Sequence, residues 1–151
     1  MRRSEKKIQD MAQVEEIIDQ ARVCRLGLVD NGVPYVVPLN FGYRDGALYF
    51  HSAREGRKID ILRTNPDVCF EMDVDLGIKE GETACKWGAR YRSVIGYGTV
   101  TFLEDVDEKV QALDIIMEHY SDAKHVYLES TVSHTLVFKV SIDAVEGKQS
   151  L

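Results

Sequence analysis

Residues 24–52, CRLGLVDNGVPYVVPLNFGYRDGALYFHS, decide the fold of this chain because they contain two β-hairpin signals in succession. Asn31-Gly32 and Asp45-Gly46 each separate two apolar runs. Both dipeptides tolerate the positive φ angles of a tight type I′ turn, which favours antiparallel pairing of the flanking strands. Pro34 and Pro38 remove two amide donors from the middle run. That run is therefore expected to be an edge, a bulge or an irregular stretch, with nearby backbone groups free to meet a ligand.

Helical and alternating patterns continue on both sides of these hairpins. Apolar spacing predicts a helix capped by Asp10, a short helix after Gly56 and a third helix after Asp105 or Asp107. Residues 76–88 are predicted to form a polar loop long enough to be functional. Alternation predicts three further strands, DVCFEMDVD, YRSVIGYGTVTFLED and HTLVFKVSIDAVEGK. The order α-β-β-β-α-β-β-α-β predicts a mainly β (α+β) fold, a small antiparallel barrel with peripheral helices.

Length and charge limit the possible function classes. The 151 residues suffice for one domain, with an N-terminal helical segment over 1–22 and the barrel over 23–148. A net charge of −6 argues against general affinity for nucleic acid or anionic membrane. No apolar run approaches the roughly 18 residues that span a bilayer, and the basic start MRRSEKKIQD lacks the apolar segment of a signal peptide. We therefore expect a cytoplasmic protein with no nucleic-acid or membrane partner.

Cysteine and histidine spacing points away from disulfides and metal. The three cysteines form no CxxC pair, which fits a reducing compartment. The four histidines show neither HxH nor HExxH spacing, so no metal site is predicted. Cys24 and Cys69 lie in strand patterns and are expected to be buried, whereas Cys85 falls in the predicted loop and is expected to be more exposed.

The segment YFHSAREGRKIDILRTNP, residues 49–66, places polar and basic groups between a strand end and a helix start. A helix N-terminus presents unpaired amides and the positive end of the helix dipole, which attract an anion. Ser52 can donate a hydroxyl hydrogen bond, Arg57 can bind phosphate with its guanidinium fork, and Lys58 adds a point charge. These groups predict a phosphate pocket, with a solvated basic helix start as the alternative. His51 is a candidate proton source or simply a structural histidine.

Another group of candidates lies in WGARYRSVIGYG, residues 87–98, at the entrance to a predicted strand. Trp87 is the only tryptophan and follows the predicted loop, so it is placed to cover an aromatic ligand. The alternative is that Trp87 and Tyr91 fill the core.

Three segments together resemble the pyridoxamine 5′-phosphate oxidase-like flavoproteins, and among them the branch containing the nitroimidazole-resistance (Nim) proteins. They are CRLGLVDNGVPYVVPLNFGY, LYFHSAREGRKIDILRTNPDVCFEMD and WGARYRSVIGYGTV. The resemblance extends over roughly residues 23–148. It implies a single FMN-binding split β-barrel domain over residues 1–151, with FMN expected rather than FAD or haem. It also implies a homodimer with two flavin sites at the subunit interface.

Carried over by position, the resemblance implies a role for each candidate residue. His51, Ser52, Arg57 and Lys58 would hold the phosphate of the ribityl chain, and Ser93 would approach the flavin from the other subunit. In the Nim-like branch a histidine near the flavin has been linked to the reaction, and His51 is the candidate for it. The predicted cofactor-binding set is Val37, Pro38, Leu39 and Asn40 along the isoalloxazine ring, with His51, Ser52, Arg57, Lys58, Trp87 and Ser93.

Several functions are compatible with these residues. The leading hypothesis is an FMN-dependent oxidoreductase that reduces a small acceptor such as a nitroaromatic compound. We find no counterpart of the C-terminal Trp and Arg motif with which true pyridoxamine-phosphate oxidases hold their substrate, so vitamin B6 oxidation is not expected. The alternatives are a non-catalytic flavin- or haem-binding protein and a dimeric interaction module without a cofactor.

Overall fold

The computed structural model describes residues 4–151, so the first three residues of the predicted 1–22 segment lie outside the described part. The described part contains eight strands: β1 (Lys7–Ile8), β2 (Cys24–Asp30), β3 (Val33–Leu39), β4 (Gly42–Arg44), β5 (Ala47–Ser52), β6 (Asp67–Lys79), β7 (Gly88–Leu103) and β8 (Leu136–Ser150). Its α-helices are α1 (Met11–Gln20), α2 (Arg57–Thr64), α3 (Val106–Glu118) and α4 (Glu129–His134). None of the helices in residues 4–151 is long and apolar enough to cross a membrane.

The two predicted hairpin turns are confirmed. Asn31 and Gly32 have φ angles of 49° and 83°, and Asp45 and Gly46 have φ angles of 49° and 75°. These positive angles join β2 to β3 and β4 to β5 in antiparallel pairs. The turn chemistry therefore decides the register of the first strands.

The sheet curls into a barrel because its two edges are joined by a short link. The strand order is β3-β2-β6-β7-β8-β5-β4, with β1 added to β8, so β3 and β4 lie at opposite edges. Only Asn40 and Phe41 separate the end of β3 from the start of β4. Three Cα steps of about 3.8 Å cannot bridge the width of a flat sheet, so the edges must meet at this corner. This arrangement confirms the antiparallel split-barrel fold, and it explains how Pro34 and Pro38 are tolerated in the edge strand β3.

The predicted loop over residues 76–88 is wrong. Strand β6 continues to Lys79 and pairs with β7 from Gly88 onward, so the connection is limited to residues 80–87. Gly77 has a φ of 91° at a shift of register, and its amide donates to Asp75 Oδ1 at 2.8 Å. Both faces of this extension are exposed, so its sequence lacks the alternation that would have indicated strand.

The core fills the inside of the barrel and the space beneath the helices. Helix α1 begins at its predicted cap, with Asp10 Oδ1 accepting from the Ala12 amide, and packs Val14, Ile17 and Ile18 against the sheet. Full burial stabilises the fold by roughly 1.5–3 kcal/mol for each large apolar side chain. The largest fully buried side chains are Phe41, Phe50, Phe70 and Phe138. This rigid interior fixes the strand ends that carry the candidate residues.

Candidate functional site

Helix α2 starts without a side-chain cap. Gly56, with a φ of 130°, precedes it, and the Ile59 and Asp60 amides donate to Gly56 O. The N-termini of α1 and α3 are capped by aspartate side chains, but no side chain within residues 4–151 accepts from the first amides of α2. Unsatisfied amides and the helix dipole together make this end a favourable place for an anion.

Ser52 adds a buried donor close to this helix start in the chain. It is the last residue of β5, and strand alternation places its side chain on the face shared by Leu48 and Phe50. Its Oγ is buried and has no hydrogen-bond partner among the described residues. A buried hydroxyl without a partner is costly, and a phosphate oxygen in this position would satisfy it.

Arg57 and Lys58 supply positive charge at the same helix end. The Arg57 guanidinium lies 4.5 Å from the centroid of the Tyr35 ring and 3.7 Å from Asp30 Oδ2. Its side chain is 56% exposed, so this long ion pair contributes little and leaves the guanidinium able to bind a ligand. Lys58 is half-buried, and it forms no ion pair within residues 4–151.

His51 lies apart from the Ser52 hydroxyl. Alternation along β5 turns its side chain to the opposite face, where it is exposed. Its partner on the neighbouring strand β8 is Val137, which packs with Leu103 of β7 and Ala112 of α3. The structure therefore places His51 near α3 and Ser52 on the inner face of the barrel.

The segment from Val37 to Asn40 forms the end of the edge strand and the start of the corner. Val37 and Leu39 point inward and pack on the core, whereas Pro38 and Asn40 are exposed. The ladder with β2 ends at the pair Leu39 and Cys24. The other edge of β3 has no paired strand in the part of the chain that the structure describes, so its backbone is open to a ligand.

Trp87 and Ser93 lie far from the helix start within one chain. Ser93 pairs with Lys148, which follows Leu136, the partner of Ser52, by twelve residues along β8. At about 3.3 Å per residue this corresponds to about 40 Å of strand. Trp87 is 53% exposed at the tip of the β6–β7 hairpin, so the alternative that it fills the core is wrong for the single chain. Trp87 and Ser93 thus lie apart from Ser52 and the start of α2 within one chain.

The outer face of the sheet carries an apolar surface that we did not predict. Its large exposed members are Ile95, at 45%, and Tyr97, at 60%, on β7, with Val29 and Val36 on β2 and β3. A cavity of about 430 Å³ opens on this face and is lined by Gly27, Val29, Pro34, Cys69 and Tyr97 among others. The signal was available in the sequence, since apolar residues on both faces of a strand indicate burial on both sides.

A larger cavity, of about 550 Å³, lies elsewhere. It is lined by the end of α3 and residues 121–125, including Asp114, Glu118, Asp122 and His125. None of the predicted site residues lines it. This cavity therefore lies apart from the buried hydroxyl of Ser52 and the uncapped start of α2.

The cysteines differ in environment. Cys24 is buried in β2, and burial raises the pKa of its thiol far above the ordinary value. Cys69 is half-buried on the outer face, and burial, followed by the charge of Glu71, raises its pKa as well. Cys85 is exposed in the short 3₁₀ turn of the hairpin tip. The expected burial therefore holds fully for Cys24 and partly for Cys69.

Comparison with known proteins gives a consistent family assignment. The family model described as pyridoxamine 5′-phosphate oxidase matches residues 10–149. A candidate 5-nitroimidazole antibiotic resistance protein from Bacteroides thetaiotaomicron is 42% identical, with a TM-score of 0.85 over 95% of this chain and 86% of that one. No functionally curated protein matches the sequence.

Two more distant structures share the fold. An FAD-binding protein from Mesorhizobium loti is 26% identical, with a TM-score of 0.71 over 97% of this chain and 98% of that one. An FAD and haem binding protein from Mycobacterium smegmatis is 19% identical, with a TM-score of 0.88 over 96% of this chain and 73% of that one. At such identity the second match supports the fold alone.

Proposed function

This chain belongs to the pyridoxamine 5′-phosphate oxidase family, and on that premise we propose that it is a flavin-dependent oxidoreductase that binds FMN. The observation that carries the proposal is the buried hydroxyl of Ser52, which has no partner among the described residues, five positions before the uncapped start of α2 at Arg57. A dianionic phosphate would satisfy both, and the basic side chains of Arg57 and Lys58 would add charge-assisted hydrogen bonds.

The residues present fit each part of FMN. The phosphate would lie at Ser52 and the start of α2, and the isoalloxazine ring would lie along the open edge of β3 from Val37 to Asn40. Bound FMN would supply the electrons that reduce an acceptor, while the protein provides binding, orientation and exclusion of water. We propose FMN rather than FAD because this pocket ends in groups suited to a terminal phosphate.

A nitroaromatic compound is the acceptor that we propose. The 42% identical protein from Bacteroides thetaiotaomicron, described as a candidate 5-nitroimidazole resistance protein, supports this choice. Reduction of a nitro group builds negative charge on its oxygens, so a proton donor near the flavin would assist it. His51 is our candidate, because its imidazole is exposed at the end of β5.

We further propose that two copies complete the site. Within one chain, Trp87 and Ser93 are separated from Ser52 by most of the length of β8. A second copy that covers the outer apolar face could bring its own hairpin to the flavin of the first. A small barrel cannot enclose a flavin ring alone, which gives the homodimer a physical reason.

The test is the visible absorption spectrum of the purified protein before and after excess FMN is added and removed. We expect a retained oxidised-flavin spectrum in the wild type and its loss in the Arg57→Ala/Lys58→Ala double variant. The double variant Arg63→Ala/Lys124→Ala, which removes two exposed basic side chains at the end of α2 and after α3, is the matched control and should retain FMN.

Each other outcome has a distinct meaning. Mass spectrometry of the released chromophore separates FMN from FAD, and a Soret band would indicate haem. A protein that stays colourless with added FMN would overturn the proposal. A retained flavin with no NAD(P)H-driven turnover of a nitroimidazole or quinone would leave a binding protein and contradict the oxidoreductase.

A further inference from the structure

The last turn of α3 presses on the corner where β3 becomes β4. A Cβ added at Gly42 would lie 2.5 Å from Ile115 O, so the helix backbone contacts the strand backbone directly. The Phe41 ring is fully buried, and its centroid lies 4.4 Å from that of the His119 ring. The corner is therefore held against α3 by backbone packing on one residue and aromatic packing on the next.

Two side chains directly after α3 form hydrogen bonds with the corner and with the segment between α1 and β2. The Tyr120 hydroxyl accepts from the Phe41 amide at 3.1 Å and donates to Arg22 O at 3.0 Å. His119 Nε2 donates to Ala21 O at 2.7 Å. Both carbonyls belong to the link between α1 and β2. The Tyr120 hydroxyl therefore ties the corner to the segment that leads into the neighbouring strand.

The Phe41 amide lies two residues beyond the end of the β2–β3 ladder. Leu39 is the last residue of that ladder, and Asn40 is exposed beyond it. Without Tyr120, the Phe41 amide would be left at the edge of the core with no acceptor among the described residues, and the corner would have to move to satisfy it. The position of the Asn40 backbone thus depends on a residue eighty positions further along the chain.

From this geometry we infer that Tyr120 is a positioning residue for the flavin ring. It fixes the position of the backbone from Val37 to Asn40, along which the isoalloxazine ring is proposed to lie. The inference rests on the proposed FMN site but adds a residue that lies outside it. Because the strip faces the ring and not the phosphate, Tyr120 should affect FMN and riboflavin equally.

The test compares Tyr120→Phe with wild type in titrations with FMN and with riboflavin. We expect both flavins to bind about fivefold more weakly, since one buried amide loses its acceptor. The visible bands of the bound flavin and its reduction potential should shift, because the backbone beside the ring has moved. Thermal unfolding of the apo-protein gives the cost in stability separately.

The matched control is Tyr43→Phe. Tyr43 is half-buried on β4, and its hydroxyl donates to Glu15 Oε1 at 2.9 Å, away from the corner amide. It should lose a comparable hydrogen bond with no change in flavin affinity, spectrum or potential. If Tyr120→Phe lowers stability but matches Tyr43→Phe in all flavin measurements, the inference is overturned.

A second pair of variants serves if Tyr120→Phe does not fold. Both variants lose the ring that packs on Phe41, but His119→Gln keeps a donor for Ala21 O and should shift the flavin spectrum less than His119→Leu. Equal spectra for the two variants would also overturn the inference. A wild-type protein that binds neither flavin would instead refute the proposed function, so the two failures are distinguishable.

Discussion

At the scale of single residues, the buried hydroxyl of Ser52 is the group that a bound phosphate would complete. Ser52→Ala removes a polar atom that has no partner, so the free energy of unfolding of the apo-protein should not fall. FMN should bind about fivefold to tenfold more weakly because a hydrogen bond to a charged group is lost. Urea denaturation and FMN titration measure the two effects.

Ser133→Ala provides the comparison. The Ser133 hydroxyl donates to Ser130 O at 3.0 Å, so its loss should lower the free energy of unfolding by about 1 kcal/mol and leave FMN binding unchanged. The phosphate role of Ser52 would be contradicted if Ser52→Ala behaved like Ser133→Ala in both assays.

His51 is proposed to donate a proton in the reaction and not to bind FMN. His51→Ala should slow nitroimidazole reduction about 100-fold, as expected for the loss of a general acid, with only a small change in FMN affinity. The measurement is steady-state turnover with saturating FMN. His125→Ala, which changes an exposed histidine near the end of α3, should keep full activity. Equal turnover in His51→Ala and wild type would exclude the proton-donor role.

At the scale of elements, the packing of β7 against Phe70 and β8 leaves no room for a side chain at Gly96. A Cβ at Gly96 would lie 2.1 Å from the Phe70 ring and 2.7 Å from Ala144 O, whereas a Cβ at Gly88 on the same strand meets nothing within 4 Å. Gly96→Ala should therefore lower the free energy of unfolding by about 1–3 kcal/mol, and Gly88→Ala should be nearly neutral. Urea denaturation of both variants decides it, and equal midpoints would contradict the packing argument.

The sequence indicated the elements that depend on local chemistry. The Asn31-Gly32 and Asp45-Gly46 turns, the Asp10 cap and the helix start after Gly56 each act within a few residues, so each was predictable. The extension of β6 past Gly77 was not, because both its faces are exposed and the ladder shifts register at Gly77.

The candidate site divides in the same way. The basic start of α2 could be recognised from Gly56, Arg57 and Lys58, because a helix start and its charges are close in sequence. The missing partner of the Ser52 hydroxyl and the Tyr120 bridge to Phe41 depend on packing between elements far apart in the chain. No periodic pattern records such contacts, so only the structure reveals them.

At the scale of the whole molecule, the outer apolar face tests the proposed dimer. Ile95 is 45% exposed, so Ile95→Asp should not prevent folding of one chain, but in an interface it would bury an unpaired charge. We expect the variant to be monomeric by size-exclusion chromatography with light scattering, and to bind FMN more than about tenfold more weakly.

Val126→Asp is the control for this prediction, because Val126 is 96% exposed outside the sheet. It should remain dimeric and retain FMN. A wild-type protein that is monomeric and still holds FMN would contradict the dimer, and the two groups of site residues would then need another explanation.

The position of β8 in the sheet has a consequence for how the protein is made. β8 pairs with β7, β5 and β1, and it joins the β3-β2-β6-β7 set to the β5-β4 set. It is also synthesised after every other strand. A ribosome therefore releases all the remaining strands before the one that unites them exists, and the edges of β5 and β7 that pair with β8 must stay unpaired until then. Since these pairings are distant in sequence, completion is slow, and newly made chains should depend on chaperones during that interval.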